Sequence, residues 1–199
     1  MGRVIDADGF EALFRADPDP WNYAGSLFER NKREVLLKGC GPRCRGRVLE
    51  LACANGETTA ALRRSALRLV AQDASPTALA HAAARNVGAK NVRFVRGLLP
   101  QGLPRGPFDL IVASEILYYL PRRDLEACLR RIEAALAPGG RLVALHHVVP
   151  FGDAATRPAA AARLVERHCR RRLLPALSSR TSRYRMDAFD KPLARSGPR

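Results

Sequence analysis

The chain has 199 residues, which is enough for one domain with a sizeable core and too few for two. Its formal net charge is +15, and residues 163–199 hold more than half of this excess, with eleven Lys or Arg and three acids. This charge favours anionic partners such as nucleic acid, although heavy use of arginine also explains it. Acidic residues interrupt the amino terminus and no apolar run is long enough to span a bilayer, so we expect a soluble, cytoplasmic protein without a membrane segment.

The five cysteines are an odd number, which favours reduced thiols over a disulfide framework. Cys40 and Cys44 have the spacing of a metal-binding pair, but no second pair follows and the four histidines are scattered. We therefore expect no structural metal.

Helical signals recur along the chain. Residues 17–20 read Asp-Pro-Asp-Pro and end the first helix, because each proline disfavours the helical conformation of the residue before it. Ser26 and Glu29 form a capping box that starts the second helix, and Ser75 precedes Pro76 at the start of the fourth. The predicted helices span residues 7–16, 26–38, 58–64, 75–85, 121–136 and 155–169.

Apolar runs between these helices predict strands. The predicted strands span residues 47–52, 67–73, 92–95, 108–115, 141–147, 173–178 and 184–189. Residues 138–140, Pro-Gly-Gly, are expected to stop the fifth helix and to form a turn before the fifth strand. The alternation of strand and helix indicates an α/β fold with a parallel sheet covered on both faces, which binds ligands at the carboxyl ends of its strands.

The junction after the first strand carries the main functional signal. Residues 47–56 run Arg-Val-Leu-Glu-Leu-Ala-Cys-Ala-Asn-Gly, so that an apolar strand enters a loop of small residues. Asp73 ends the next strand about 20 residues later, the usual distance for a carboxylate that binds ribose hydroxyls. The pattern predicts a nucleoside-cofactor site, and the alternative is an ordinary buried strand–turn–helix unit.

The residue types in this loop indicate which nucleoside. A dinucleotide site needs Gly-x-Gly-x-x-Gly for close approach to a pyrophosphate, whereas this loop has Ala52, Ala54 and a single glycine, Gly56. Glu50 would repel phosphate but suits a cofactor with an ammonium and a sulfonium, as S-adenosylmethionine has. Because alanine tolerates positive φ poorly, positions 52 and 54 are expected to avoid it.

Several of these residues resemble a known family. The loop with Glu50, Asp73 at the end of strand two and the Pro-Gly-Gly segment at 138–140 resemble class I S-adenosylmethionine-dependent methyltransferases. The runs at 19–23, Asp-Pro-Trp-Asn-Tyr, and 114–120, Ser-Glu-Ile-Leu-Tyr-Tyr-Leu, are similar to the NodS-like branch, which includes a nodulation N-methyltransferase acting on a deacetylated chitooligosaccharide amine. The resemblance implies a Rossmann-like fold with a mostly parallel seven-stranded sheet, and S-adenosylmethionine as the cofactor.

The resemblance also implies a cofactor site. Glu50 and the backbone of residues 52–56 would hold the methionine end, Asp73 would bind the ribose hydroxyls, and Ala74 would lie beside the adenine. The implied cofactor-binding residues are Trp21, Tyr23, Glu50, Ala52, Cys53, Asn55, Gly56, Asp73, Ala74, Gly97 and Leu98.

Two parts of this assignment have alternatives. Relatives often carry an acid after strand three that meets the adenine amino group, whereas this chain has Gly97 and Leu98, so the backbone is expected to supply that contact. Trp21 and Tyr23 match aromatic residues that close over cofactor or acceptor, and they would otherwise anchor the amino-terminal segment on the core.

The candidate catalytic residues follow strands four and five. Glu115 is predicted to orient the acceptor or to take its proton, unless it is a structural cap. His146 is predicted to accept a proton as a neutral imidazole, with a packed histidine as the alternative, which we favour for His147. Tyr119, more than Tyr118, is predicted to wall the acceptor pocket.

The sequence thus predicts an enzyme that methylates nitrogen, rather than oxygen, of a small molecule such as an amino sugar or glycosylated metabolite. The basic carboxyl-terminal segment suggests RNA as an alternative substrate, but no Asn-Pro-Pro-Tyr motif follows strand four. A cofactor-binding protein without turnover is a third possibility. Residues 1–40 are predicted to form a helical cap, 41–192 the cofactor-binding domain and 193–199 a basic tail, and the sequence does not predict the oligomeric state.

Overall fold

The computed structural model describes residues 4–42 and 45–194. The helices are α1 (Ala7–Ala16), α2 (Leu27–Cys40), α3 (Glu57–Leu62), α4 (Pro76–Arg85), α5 (Arg122–Ala135) and α6 (Pro158–Arg170). The strands are β1 (Arg45–Leu51), β2 (Ala66–Asp73), β3 (Val92–Arg96), β4 (Phe108–Ser114), β5 (Leu136–His147), β6 (Leu174–Arg180) and β7 (Tyr184–Asp190). Each element overlaps one that the sequence predicts.

The strands form one sheet in the order β3-β2-β1-β4-β5-β7-β6. Pairing is parallel from β3 to β5, and β7 runs antiparallel to both β5 and β6. The predicted fold class, a Rossmann-like and mostly parallel seven-stranded sheet, is confirmed. The strand order reverses between β1 and β4, and in open α/β sheets the crevice at such a reversal binds the ligand.

The central strands are apolar because helices cover both faces of the sheet. Leu49 in β1 and Ile111 and Val112 in β4 are completely buried. Side chains from α5 and α6 pack on one face, while Leu36 of α2 packs on the other. This continuous burial is typical of parallel strands, and it fixes the strand ends that carry the polar residues of the site.

The Pro-Gly-Gly segment at 138–140 differs from the prediction. Helix α5 ends at Ala135 and β5 already starts at the next residue, where Leu136 pairs with Phe108. The register then shifts, so the segment is a bulge within β5 and not a turn before it. Glycine is needed here because Gly139 has a φ of 74° and its amide donates to the carbonyl of Lys191 at 2.9 Å.

Four cysteines, Cys40, Cys53, Cys128 and Cys169, are buried free thiols. Within the described ranges, His, Cys, Asp and Glu side chains form no group of three or more that could hold a metal. The same residues include no helix with the length and apolar character needed to cross a bilayer. Cys44 and residues 195–199, which make up most of the predicted basic tail, lie outside the described residues.

Candidate functional site

A cavity of about 980 Å³ opens at the carboxyl edge of the sheet. Its walls come from the ends of β2 and β4, the loop after β1, helix α1 and the segment after β5. A smaller cavity of about 40 Å³ lies under the β1 loop and shares Ala52, Ala54 and Glu115 with the larger one. The volume of the larger cavity is at the upper end of the range for small-molecule sites, as expected of a site for a cofactor and an acceptor together.

The loop after β1 is strained in a way that the sequence did not predict. Ala52 has a φ of 52° and Ala54 a φ of 49°, so both lie in the left-handed region and the expectation that they avoid it is wrong. Each such alanine costs about 1–2 kcal/mol. The loop is held by hydrogen bonds: the Ala54 amide donates to Asp73 Oδ2 at 2.9 Å and the Cys53 amide donates to the carbonyl of Gln72 at 3.0 Å.

Asp73 closes β2 and faces the larger cavity. Its Oδ1 accepts the Ser75 amide at 2.9 Å, while its Oδ2 accepts the amide of Ala54. Burial raises the pKa of Asp73, against the opposing effect of these hydrogen bonds. An ionised carboxylate has about four acceptor positions, so each oxygen keeps capacity for one more donor. This arrangement fits a ribose diol.

Glu50 lies in the smaller cavity, where 3% of the residue is exposed. Its Oε2 accepts the hydroxyl of Thr59 at 2.5 Å, and burial raises its pKa to about 8. The charge of Arg33 lowers this pKa but does not outweigh burial, so the carboxyl is largely protonated at neutral pH. A ligand ammonium would supply the missing charge.

Asn55 shares this smaller cavity and is 1% exposed. Among the described residues, neither its Nδ2 nor its Oδ1 has a hydrogen-bond partner. A buried amide with both atoms unpaired is rare in native proteins and indicates a group that the protein is built to bind. The carboxylate and ammonium at the methionine end of S-adenosylmethionine are complementary to Asn55 and Glu50, so the residues present fit this cofactor.

Ala74, Gly97 and Leu98, the residues predicted to lie beside the adenine, line the larger cavity. No acid replaces Leu98, but Gln72 also lines the cavity, and its Nε2 donates to the carbonyl of Gly97. The Oε1 of Gln72 is buried without a partner within the described ranges. This oxygen is an available acceptor for an exocyclic amino group, and sequence reasoning missed it because Gln72 precedes the residue that the pattern singled out.

Most of the predicted cofactor residues come together at this edge. Those lining one or both cavities are Trp21, Tyr23, Glu50, Ala52, Cys53, Asn55, Asp73, Ala74, Gly97 and Leu98. Gly56 lines neither cavity. Its φ is 80°, and a Cβ there would lie 2.8 Å from Cα of Ala82, so this glycine lets α4 approach the loop and its predicted cofactor contact is replaced by a packing role.

Aromatic residues from the amino-terminal segment cover the cavity. The Trp21 ring lies 5.6 Å from that of Phe14 and 5.7 Å from that of Tyr23, centroid to centroid. Both alternatives for Trp21 and Tyr23 are therefore compatible with the structure, since the rings pack on α1 and also face the cavity. Phe10 of α1 meets Tyr119 edge to face at 4.8 Å, and the predicted wall residue Tyr119 faces the same space.

Glu11 fixes α1 over the site and was not singled out by the sequence. Its carboxylate accepts the hydroxyls of Ser75 at 2.7 Å and Thr77 at 2.6 Å. These hydrogen bonds lower the pKa of Glu11 to about 2. The first turn of α4 and the covering helix are thus joined through one ionised side chain.

Glu115 lies at the end of β4 and has a φ of 56°. Its Oε1 accepts Lys32 Nζ at 2.8 Å, and its Oε2 accepts the hydroxyl of Tyr118 at 2.7 Å and the amide of His147 at 2.8 Å. Burial raises the pKa of Glu115, but the Lys32 ammonium and the hydrogen bonds outweigh it and hold the pKa below its ordinary value. Such a carboxylate stays ionised and is a weak base, so it suits orientation of an acceptor better than proton uptake.

The positions of the two histidines are the reverse of those expected. His146 is 2% exposed and does not line the cavity, and burial lowers its pKa to about 4. His147 does line the cavity, 6.1 Å from the ring of Phe151. The prediction that His146 faces the acceptor is therefore wrong, because successive side chains of a strand point to opposite faces and the inward face here belongs to the core.

Comparisons with known proteins identify the family of the chain. A family model described as a methyltransferase domain matches residues 48–140. Nodulation protein S of Rhizobium tropici is 32% identical over 140 residues, which cover 68% of this chain and 59% of that protein. The crystal structure of a candidate methyltransferase from Pseudomonas syringae is 30% identical, with a TM-score of 0.70, and the match covers 83% of this chain and 100% of that one. The chain belongs to the class I S-adenosylmethionine-dependent methyltransferases.

Within this family the methyltransferase is similar to NodS proteins. N-methyltransferase NodS of Bradyrhizobium japonicum WM9, in complex with S-adenosyl-L-homocysteine, has the same fold with a TM-score of 0.80 at 24% identity, over 94% of this methyltransferase and 98% of that chain. The methyltransferase therefore spans about 59% of the Rhizobium tropici relative but nearly the whole of the NodS structure. The predicted family and cofactor are confirmed.

Proposed function

We propose that this methyltransferase transfers the methyl group of S-adenosylmethionine to the nitrogen of a small-molecule amine. The observation that carries the proposal is the charge of the larger cavity. Its carboxylates are Asp6, Asp8, Glu29, Asp73, Glu115, Asp124 and Asp153. Among the residues that the structure describes, the Lys and Arg side chains that line it are Lys32 and Arg183. On a chain with a net charge of +15, an acidic cavity selects cationic ligands such as amines.

Methyl transfer mainly requires the protein to align the acceptor with the methyl group. S-adenosylmethionine, when bound, supplies a methyl group whose own carbon is already electrophilic because it is bonded to the sulfonium. The protein holds the acceptor in line and excludes water, which accounts for several kcal/mol of barrier lowering. The ionised Glu115 favours the cationic product, and the apolar rings of Tyr119 and Phe151 keep the region around it dry.

An amine attacks only in its neutral form, so a proton must leave the acceptor. The carboxylates of the cavity oppose this step, because they stabilise the ammonium. His147 is the imidazole that faces the cavity, and we assign it as the group that takes this proton or passes it to water. Glu115 positions His147 through the hydrogen bond to its amide.

The negative charge of the cavity argues against RNA as a substrate. RNA presents its bases on a chain of phosphates, and the carboxylates around the opening repel these phosphates. A small amine meets no such repulsion, so the proposal favours a small acceptor over RNA.

Methyl transfer from labelled S-adenosylmethionine tests the proposal. We expect product with glucosamine or a glucosamine-terminated oligosaccharide and none with the matched N-acetyl compounds, because acetylation removes the nucleophilic lone pair. Labelling of tRNA, or of hydroxyls in the N-acetyl compounds, would contradict it. Asp73→Ala serves as the cofactor-binding control.

A further inference from the structure

Arg183 differs from the other cation that lines the cavity. Lys32 is paired with two carboxylates, Glu29 and Glu115, at 2.8 Å each. Among the described residues, the guanidinium of Arg183 has no ion pair and no side-chain hydrogen bond. It lies beside a cavity with many carboxylates and yet binds none of them, so its N–H donors are free for a ligand.

The position of Arg183 is fixed by its backbone and by an aromatic ring. Its amide donates to Thr181 Oγ1 at 3.2 Å, and its carbonyl accepts the amide of Val148 at 2.9 Å. The guanidinium carbon lies 4.0 Å from the centroid of the Phe28 ring. The ring covers one face of the guanidinium and leaves its edge, which carries the N–H groups, available for an anionic group.

This position places Arg183 beside the reaction centre. In the β5–β7 pairing, His147 lies opposite Tyr184, the residue after Arg183. Phe28, under the guanidinium, is also 5.4 Å from Nζ of Lys32, which in turn binds Glu115. The free arginine and the residues assigned to the acceptor amine therefore line neighbouring parts of the same wall.

The charges around the cavity restrict the ligand. A simple anion would be repelled by the carboxylates, and a simple cation would not use Arg183. A molecule that carries both an amine and an anionic group satisfies both parts of the wall. We propose that Arg183 binds a carboxylate, sulfate or phosphate on the methyl acceptor, which is therefore an amine with an anionic substituent. This proposal rests on the proposed function.

Paired acceptors separate the two proposals. Methyl transfer is measured with glucosamine, glucosamine 6-phosphate, glucosamine 6-sulfate and muramic acid. Glucosamine has no anionic group and is the reference for the other three. We expect KM for at least one anionic amine to lie about 10- to 100-fold below that of glucosamine, the range of one charge-assisted hydrogen-bonded contact. In Arg183→Gln this advantage is lost with little change in kcat, and Arg183→Lys restores part of it.

The control variant is Arg171→Gln, since Arg171 is exposed at the end of α6 and lines neither cavity. Glucosamine methylated as well as the anionic amines, or equal losses for both in Arg183→Gln, would overturn the assignment of Arg183 while leaving amine methylation intact. No methylation of any amine would contradict the proposed function instead.

A binding measurement that needs no turnover completes the test. Glucosamine 6-phosphate is titrated calorimetrically into the protein saturated with S-adenosylhomocysteine, at constant ionic strength. We expect binding that weakens at least 10-fold in Arg183→Gln and is unchanged in Arg171→Gln. Equal affinity for glucosamine 6-phosphate in all three proteins would show that the arginine only covers the Phe28 ring.

Discussion

The carboxylate of Asp73 accepts the amide of Ala54 at 2.9 Å, so the end of β2 directly holds the loop that follows β1. The same carboxylate faces the cavity. The proposed ribose binding and part of the loop geometry therefore depend on a single side chain.

Replacing Asp73 by Ala is expected to abolish most of the heat of S-adenosylhomocysteine binding. The change removes the acceptor for the ribose hydroxyls and frees the amides of Ala54 and Ser75. Asp109→Ala is a matched control, because Asp109 also accepts a backbone amide, that of Arg47, but lines neither cavity. Equal affinity in the Asp73 variant and the wild type would disprove the ribose assignment.

Glycine at position 52 or 54 is expected to stabilise the protein. Each alanine has a positive φ, and glycine relieves the strain at the cost of some unfolded-state entropy, for a net gain of up to about 1 kcal/mol per site. Ala60→Gly, within α3, should have the opposite sign and cost about 1 kcal/mol. Urea unfolding measures both effects, and a loss of stability in Ala54→Gly would show that the loop is not strained there.

Glu50 is expected to make the stability of the ligand-free protein pH-dependent. Burial raises its pKa from 4.5 to about 8, so the folded state binds a proton that the unfolded state releases. Its contribution is fully present below pH 4.5 and is lost as the pH rises to about 8. Compared with Glu50→Gln, the wild type should therefore lose stability across this window in urea titrations. Parallel curves for the two proteins would contradict the raised pKa.

Lys32→Met is expected to destabilise the protein by about 3 kcal/mol, because it leaves the buried carboxylates of Glu29 and Glu115 without their cation. The double variant Lys32→Met, Glu115→Gln should recover part of this loss, since one uncompensated charge is gone. A double-mutant cycle by urea unfolding measures the coupling. Strictly additive losses would mean that the Lys32–Glu115 pair contributes nothing.

His147→Gln is expected to lower kcat for amine methylation by at least about 10-fold near neutral pH, because the variant lacks the group assigned to take the acceptor's proton. His146→Gln is the control, because His146 is buried away from the cavity and should change stability without changing kcat. A loss of kcat in His146→Gln but not in His147→Gln would support His146 as the proton acceptor.

Local patterns predicted the fold, and they predicted which strand ends meet at the edge of the cavity. Ser26 and Ser75 cap α2 and α4 as expected, and Asp73 and Glu50 lie where strand ends were predicted. These features depend on residues close in sequence, and their spacing alone places them at one edge of a parallel sheet.

The acceptor half depends on contacts between distant residues. Lys32 and Glu115 are 83 positions apart, and Glu11 reaches Thr77 over 66. No periodicity connects such pairs. The positive φ of Ala54 likewise depends on its hydrogen bond to Asp73, and the choice between His146 and His147 depends on where the inward face of β5 ends.

The buried thiol of Cys53 can report when the loop after β1 opens. The residue is 4% exposed, and burial raises the pKa of its thiol well above the ordinary value, so an alkylating reagent reaches it only when the loop opens. Its labelling rate therefore measures loop opening in the native protein. A bound ligand slows labelling at Cys53, whereas Cys128 and Cys169, in α5 and α6, are labelled at rates set by the opening of those helices.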